Sequence, residues 1–169
     1  MADGVSVRLK TAQLNAAIRE FTARRAPEVV DRVVRRTALA VVRETVRGIT
    51  TVAPTRVDTG RYRAGWRAAA GAAGLSTTGL SSGPSQPGDG RGAITGEGLK
   101  VRARLVNAVD YALFVETGTP TMAPGNHLTR ALVLVRRRVP GDRSKGSVAD
   151  ELGRAWKGRY RGQRQKWFA

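Results

Sequence analysis

The 169-residue chain contains no cysteine and only one histidine, His127. The first absence excludes a disulfide framework, a thiolate metal site and a thiol nucleophile, and the second excludes a zinc site built on several imidazoles. Acidic residues are scarce as well, 13 against 30 Lys and Arg. No run of 18 or more strongly apolar residues occurs, and residues 1–10 lack an apolar stretch followed by a small-residue cleavage site. The expectation is a protein made and kept in cytosol-like solvent, with no membrane partner. The length suits one compact domain with extensions and disfavours a multidomain enzyme.

What is abundant is arginine, which supplies 25 of the 30 cations and leaves a formal net charge of +17. The surplus is +5 over residues 1–53, +3 over 54–73, −1 over 74–99, +5 over 100–140 and +5 over 141–169, so no single basic tail carries it. Charge spread this evenly makes self-association costly unless acidic surfaces or nucleic acid neutralise it. The hydrophobic share of 41%, with 20 glycines besides, is that of a chain that folds.

Apolar spacing predicts a short helix over 11–23, carrying Leu14, Ile18 and Phe21 on one face. A longer helix is predicted over 27–49. Pro27 suits its first position, Glu28 and Asp31 its opening turn, and Arg47 its last. Its core stripe reads Val30, Val34, Ala38, Val41, Thr45 and Ile49, with arginines over much of the rest. Pro54 ends the helical pattern, and Asp58 stands as an N-cap for a short helical turn from Thr59. Residues 65–70 alternate as a strand. Residues 100–106 alternate more clearly, Val101, Ala103 and Leu105 against Lys100, Arg102 and Arg104.

Between these two strands, residues 74–98 are dominated by Gly, Ser and Pro and read as a long excursion without a core, ordered only by neighbouring subunits. Asp110 could cap a short helix through Glu116, interrupted at 117–120. A third amphipathic helix follows over 127–138, with Leu128, Ala131, Leu132 and Val135 inward, and Pro140-Gly141 breaks it. A last helix starts at Ser147, with Asp150 as capping-box partner, and runs through Leu152, Ala155 and Trp156. No internal repeat is evident.

None of the candidate catalytic patterns is complete. Asp58-Thr59-Gly60 matches the triplet of aspartic proteases, but Arg56, Arg61 and Arg63 beside it hold a carboxylate ionised and oppose a shared proton. His127 has no serine or carboxylate at motif spacing and reads as a helix-start or surface residue. The glycines of 88–92 follow no strand and precede no GK[ST], so they form no phosphate-binding loop. The expectation is a protein with no catalytic residue, metal or cofactor. The C-terminal run has the strongest claim to a partner: Arg154, Lys157, Arg159, Arg161, Arg164 and Lys166 alternate with Trp156, Tyr160 and Trp167. That mixture suits phosphate contact plus stacking, and equally suits packing on the body or on an adjacent subunit.

Three segments together resemble the tail-completion, or neck, proteins that join head to tail in long-tailed bacteriophages. Ala53-Pro54, leading to Val57-Asp58-Thr59-Gly60-Arg61-Tyr62-Arg63-Ala64-Gly65-Trp66, is similar to that family's AP-x-DTG-x-L-R-x-S signature. Residues from Asp110 through Tyr111, Ala112 and Glu116 to Gly118 and Thr119 are similar to its YA-x-YVE-x-GT, and residues 124–132 to its closing P-x-L-x-x-A-L helix. The resemblance covers about residues 28–138. Tyr62 departs from it by replacing a leucine, and the 74–98 excursion and the basic tail are longer than a minimal member needs.

What the resemblance implies is an α+β fold, a long N-terminal helix packed on a small, mostly antiparallel sheet with short helices. Residues 1–140 would form the neck domain and 141–169 a basic C-terminal extension. The implied role is that of a structural virion protein at the head–tail junction, assembled in the host cytoplasm and turning nothing over. Its partners would be copies of itself in a ring, taken as a hexamer, the head-closure or adaptor proteins, the tail terminator and tail tube, and genomic DNA in the channel. Most cations are expected to face acidic neighbouring rings, because a channel wall that held phosphates tightly would retard DNA. Glu116 is expected to pair with Arg61 or Arg63 if the first two segments meet. The alternative is a free basic nucleic-acid-binding protein, which composition alone supports.

Overall fold

The computed structural model describes residues 11–51, 60–80, 83–138 and 148–160. Helix α1 (Thr11–Glu20) continues through a π-helical segment, Phe21–Arg25, into α2 (Ala26–Thr51). The two helices expected on either side of Pro27 are thus one continuous helical run. Proline gives no amide to the carbonyl four residues back, and its ring crowds that carbonyl. The widened π turn lies just ahead of it, where the Ala26 amide reaches back to the Phe21 carbonyl.

The buried face of α2 is Val29, Val33, Val42, Thr45, Val46 and Ile49. Thr45 and Ile49 lie where the spacing put them, whereas Val30, Val34, Ala38 and Val41 are only partly buried. The pattern contains adjacent pairs, Val29-Val30, Val33-Val34 and Val41-Val42, so it fits two faces one residue, or about 100°, apart. Packing chooses between them: α2 lies against α5 (His127–Arg138) and α3 (Arg61–Ala72).

Residues 65–70 are helix, not strand, because they lie inside α3. Tyr62, Trp66, Ala69, Ala70 and Ala73 are all buried and recur at helical spacing, and the alanines between them are strong helix formers. The helix is also longer than a turn. It starts after Gly60, whose φ of 75° is the left-handed conformation glycine adopts freely, and no side chain caps it. The expected cap, Asp58, lies outside the described residues, as do Pro54 and Thr59.

The excursion also needed correction. Residues 90–95 form strand β1 (Gly90–Thr95), paired antiparallel with β2 (Arg102–Asn107) from Gly90 opposite Asn107 to Thr95 opposite Arg102. The inward side of this hairpin lies on α3. A Cβ at Gly90 or Gly92 would collide with the backbone of Ala69, so only glycine lets the strand sit that close. Leu75 and Leu80 join the core as well. Much of the excursion is therefore tied down by its own chain. Glycine marks close approach here, and composition alone cannot distinguish that use from looseness.

Helix α4 (Ala112–Thr117) begins at Tyr111 with no side-chain cap, so Asp110 does not take the capping position expected of it; its side chain is exposed. In α5, Ala131 and Val135 are buried and Leu128 packs on the core, but Leu132 is half exposed. Helix α6 (Val148–Tyr160) packs on α2. The main core joins Val42, Val46 and Ile49 of α2 to Tyr62, Trp66 and Ala70 of α3 and to Val109, Ala112 and Val115. A smaller one gathers Ala17, Phe21 and Ala26 with Leu14, Leu152, Ala155 and Trp156. The architecture is α+β, as expected, with α3 lying on the sheet and α2 behind it. Among the described residues no helix is long and apolar enough to cross a membrane.

Candidate functional site

Residues of the three motif segments, Tyr62, Glu116 and Leu128, meet at Glu116. The Tyr62 hydroxyl, from the first turn of α3, donates to the Glu116 carboxylate at the end of α4. The Leu128 amide, in the first turn of α5, donates to the same carboxylate at 3.1 and 3.2 Å. The second contact satisfies one of the orphan amides that open a helix and places a negative charge at the positive end of its dipole. Burial, followed by the hydrogen bond to Glu116, raises the Tyr62 hydroxyl well above the usual phenol range.

Glu116 therefore pairs with neither arginine expected of it. Arg63 donates to the Thr50 hydroxyl at 3.2 Å. Arg61 makes a two-pronged contact with Asp89, 2.7 Å from Nη2 to Oδ1 and 3.0 Å from Nε to Oδ2. Asp89 is 2% exposed. It also accepts from the Gln86 amide at 2.7 Å, and its backbone carbonyl accepts from the Ala108 amide at 2.8 Å. Its carboxyl is held below the ordinary range chiefly by the Arg61 hydrogen bond, with the Gln86 amide adding to it. Asp110 stands 3.9 Å from Arg61 and, being exposed, adds little.

Sequence reasoning missed Asp89 and Asn107. Asn107 donates to the Tyr62 carbonyl at 2.8 Å and accepts from the Val109 amide at 3.2 Å, joining β2 to α3. A Cβ at Gly65 would collide with it. The available signals were slight: Asp89 is one of two acids in residues 74–99, and Asn107 ends an otherwise basic and apolar strand.

The other motif residues have structural places. Ala112 is buried in the core, and Tyr111 is partly exposed at the start of α4. Gly118 has φ 79° and gives its amide to Phe114 at 2.8 Å, and Thr119 pairs with Met122 across a tight turn. His127 begins α5 as expected but is 2% exposed, so it is no surface residue.

In the C-terminal run, Trp156 packs edge-on against Phe21 with ring centroids 5.1 Å apart, so it is tied to its own chain's core. Arg154 pairs with Glu151 at 3.0 Å, and Lys157 is exposed. Arg159 and Tyr160 are described only as backbone of α6. Arg161, Arg164, Lys166 and Trp167 lie outside the described residues.

Among the described residues, apolar and basic side chains are turned outward. Leu113 and Phe114, inside the second motif, are 66% and 54% exposed on α4, and Leu132 and Val133 are exposed on α5. The face of the hairpin away from α3 carries arginines. Compared with known proteins, the chain matches no family model and no solved structure.

Proposed function

We propose that this protein is a structural subunit of a bacteriophage neck, one wedge of a ring joining the DNA-filled head and its closure proteins to the tail. The observation that carries this reading is the junction at Glu116. Three segments far apart in sequence, each resembling a neck-protein signature, are tied by two hydrogen bonds to one carboxylate. Tyr62, Glu116 and Leu128 fix α3, α4 and α5 relative to each other, a use that suits a structural subunit. The same geometry turns Leu113 and Phe114 outward, apolar side chains suited to another copy or a flanking protein. On this reading the protein turns nothing over and works at the head–tail junction, with genomic DNA in its channel.

The net charge of +17 favours a second reading, a free nucleic-acid-binding protein. Mass measurement by light scattering separates the two, combined with immunogold imaging of particles from cells producing the protein. Ring-sized assemblies, or label at the head–tail junction, support the neck reading. A monomer absent from particles that shifts duplex DNA with a steep salt dependence supports the second.

A further inference from the structure

The β1–β2 hairpin shows its two faces to different surroundings. Gly90, Gly92 and Ile94 point toward α3 with their partners Asn107, Leu105 and Ala103. By the period-2 alternation, the opposite face carries Arg91, Ala93 and Thr95 beside Val106, Arg104 and Arg102. All three arginines are exposed, and none pairs with a carboxylate among the described residues. Neither strand contains an acidic residue. A concavity of about 300 Å³ is lined by Arg91, Gly92, Ala93, Arg104 and Val106.

We infer that this outward sheet face binds the sugar–phosphate backbone of nucleic acid, with Arg91, Arg102 and Arg104 each engaging a phosphate. Alternate residues along a strand are about 6.8 Å apart, and diagonal cross-strand neighbours about 7–8 Å. These distances are on the order of the separation of successive phosphates along a nucleic-acid strand. Guanidinium groups bind phosphate oxygens two at a time, and the small residues lining the concavity let the backbone approach.

An acidic protein partner fits less well. Stable protein docking draws on buried aromatic or large aliphatic anchors, and this face offers only alanine, valine and threonine methyls. Polyanion binding needs no such anchor, because it is driven by the release of condensed counterions. Contacts confined to phosphates carry no sequence information, so binding is indifferent to sequence. Three contacts make a weak, reversible grip. The inference goes beyond the neck reading and stands whether or not the chain forms a ring.

The test titrates fluorescent mixed-sequence duplex DNA with the full-length protein, by anisotropy over a range of salt. Wild type is compared with the triple variant Arg91→Gln, Arg102→Gln, Arg104→Gln and with a control of equal charge, Arg130→Gln, Arg136→Gln, Arg137→Gln, on exposed positions of α5. The sheet variant is expected to reduce the magnitude of the negative slope of log K against log salt by about 2.7, at about 0.9 per phosphate lost, and the control by less than about 1. Equal losses in both variants would overturn the inference in favour of a diffuse field. So would a sheet variant that binds DNA as wild type does but loses affinity for polyglutamate, which would indicate an acidic protein partner. Should the triple variant unfold, the single variants Arg91→Gln and Arg104→Gln carry the same test, each expected to make the slope shallower by about 0.9.

Discussion

The hydroxyl of Tyr62 donates to the carboxylate of Glu116, 54 residues further along the chain, and through it α3 is joined to the end of α4 and the start of α5. Glu116→Ala removes the acceptor for a buried hydroxyl and for a helix-opening amide. It is expected to cost about 2–4 kcal/mol in urea unfolding, since each lost partner is worth about 1–2. Tyr62→Phe, which keeps the ring, costs about 1 kcal/mol. The Tyr62 pKa is raised by folding, so its contribution is complete below the unfolded value of about 10 and is lost as pH climbs above it. Unfolding midpoints measured from pH 8 to about 11.5 should therefore fall at the alkaline end in wild type and fall less in Tyr62→Phe. Parallel alkaline limbs would refute this account of the junction.

Asp89 gives the opposite dependence. Its carboxyl is depressed chiefly by Arg61, so its contribution is present above the unfolded value of about 4 and disappears as pH drops through the lower folded one. Asp89→Asn is expected to be less stable than wild type at pH 7, with the gap closing below about pH 4. Thermal melts across that window measure the gap, and a difference that did not depend on pH would mean that the charge of Asp89 is not what matters.

Gly92 and Gly153 sit in opposite surroundings. Gly92→Val drives a side chain into the Ala69 backbone and is expected to destabilise by at least about 3 kcal/mol or prevent folding. Gly153→Ala, inside α6 with nothing near the added carbon, is expected to stabilise that helix by about 0.5–1 kcal/mol. Circular dichroism melts of the two variants should move in opposite directions.

Trp156 anchors α6 through Phe21, and Arg36 reaches Glu151 at 2.8 Å beside it. Trp156→Ala should cost about 1–3 kcal/mol locally, releasing α6 while leaving the hairpin and α3 intact. Hydrogen exchange resolved by segment reads this directly: faster exchange confined to residues 148–160 is expected, and uniform loss of protection would show that α6 belongs to the main cooperative unit.

Much of the helical part was legible because its signals are local. The apolar spacing of residues 27–49 marked α2, although the helical run passes through Pro27 rather than starting there, the α5 pattern placed Ala131 and Val135 inside, and the alternation of residues 100–106 anticipated β2. The errors arose where two local readings compete. Trp66, Ala68 and Ala70 alternate as a strand would, yet Tyr62, Trp66, Ala69 and Ala73 also recur as a helix, and the second pattern is the one that buries surface. The adjacent valines of α2 left its inward face ambiguous by one residue until α3 and α5 fixed it.

Only part of the candidate site's membership was legible, since Asp89 and Asn107 were missed, and its bonds were not. Glu116 stood out, but its partner was expected to be an arginine. Opposite charge is readable from sequence, whereas the place of a buried tyrosine hydroxyl is not.

By itself the sequence determined the charge, the absence of thiol and multi-histidine chemistry, and the spans of the more strongly periodic helices, because these depend on residue type and near neighbours. Only the tertiary structure decided that Arg61 meets Asp89, that Glu116 meets Tyr62 and Leu128, and that glycines in an apparently structureless stretch bring a strand onto a helix. Those outcomes depend on which distant surfaces come within hydrogen-bonding or van der Waals distance, and that is set by the packing of the whole chain.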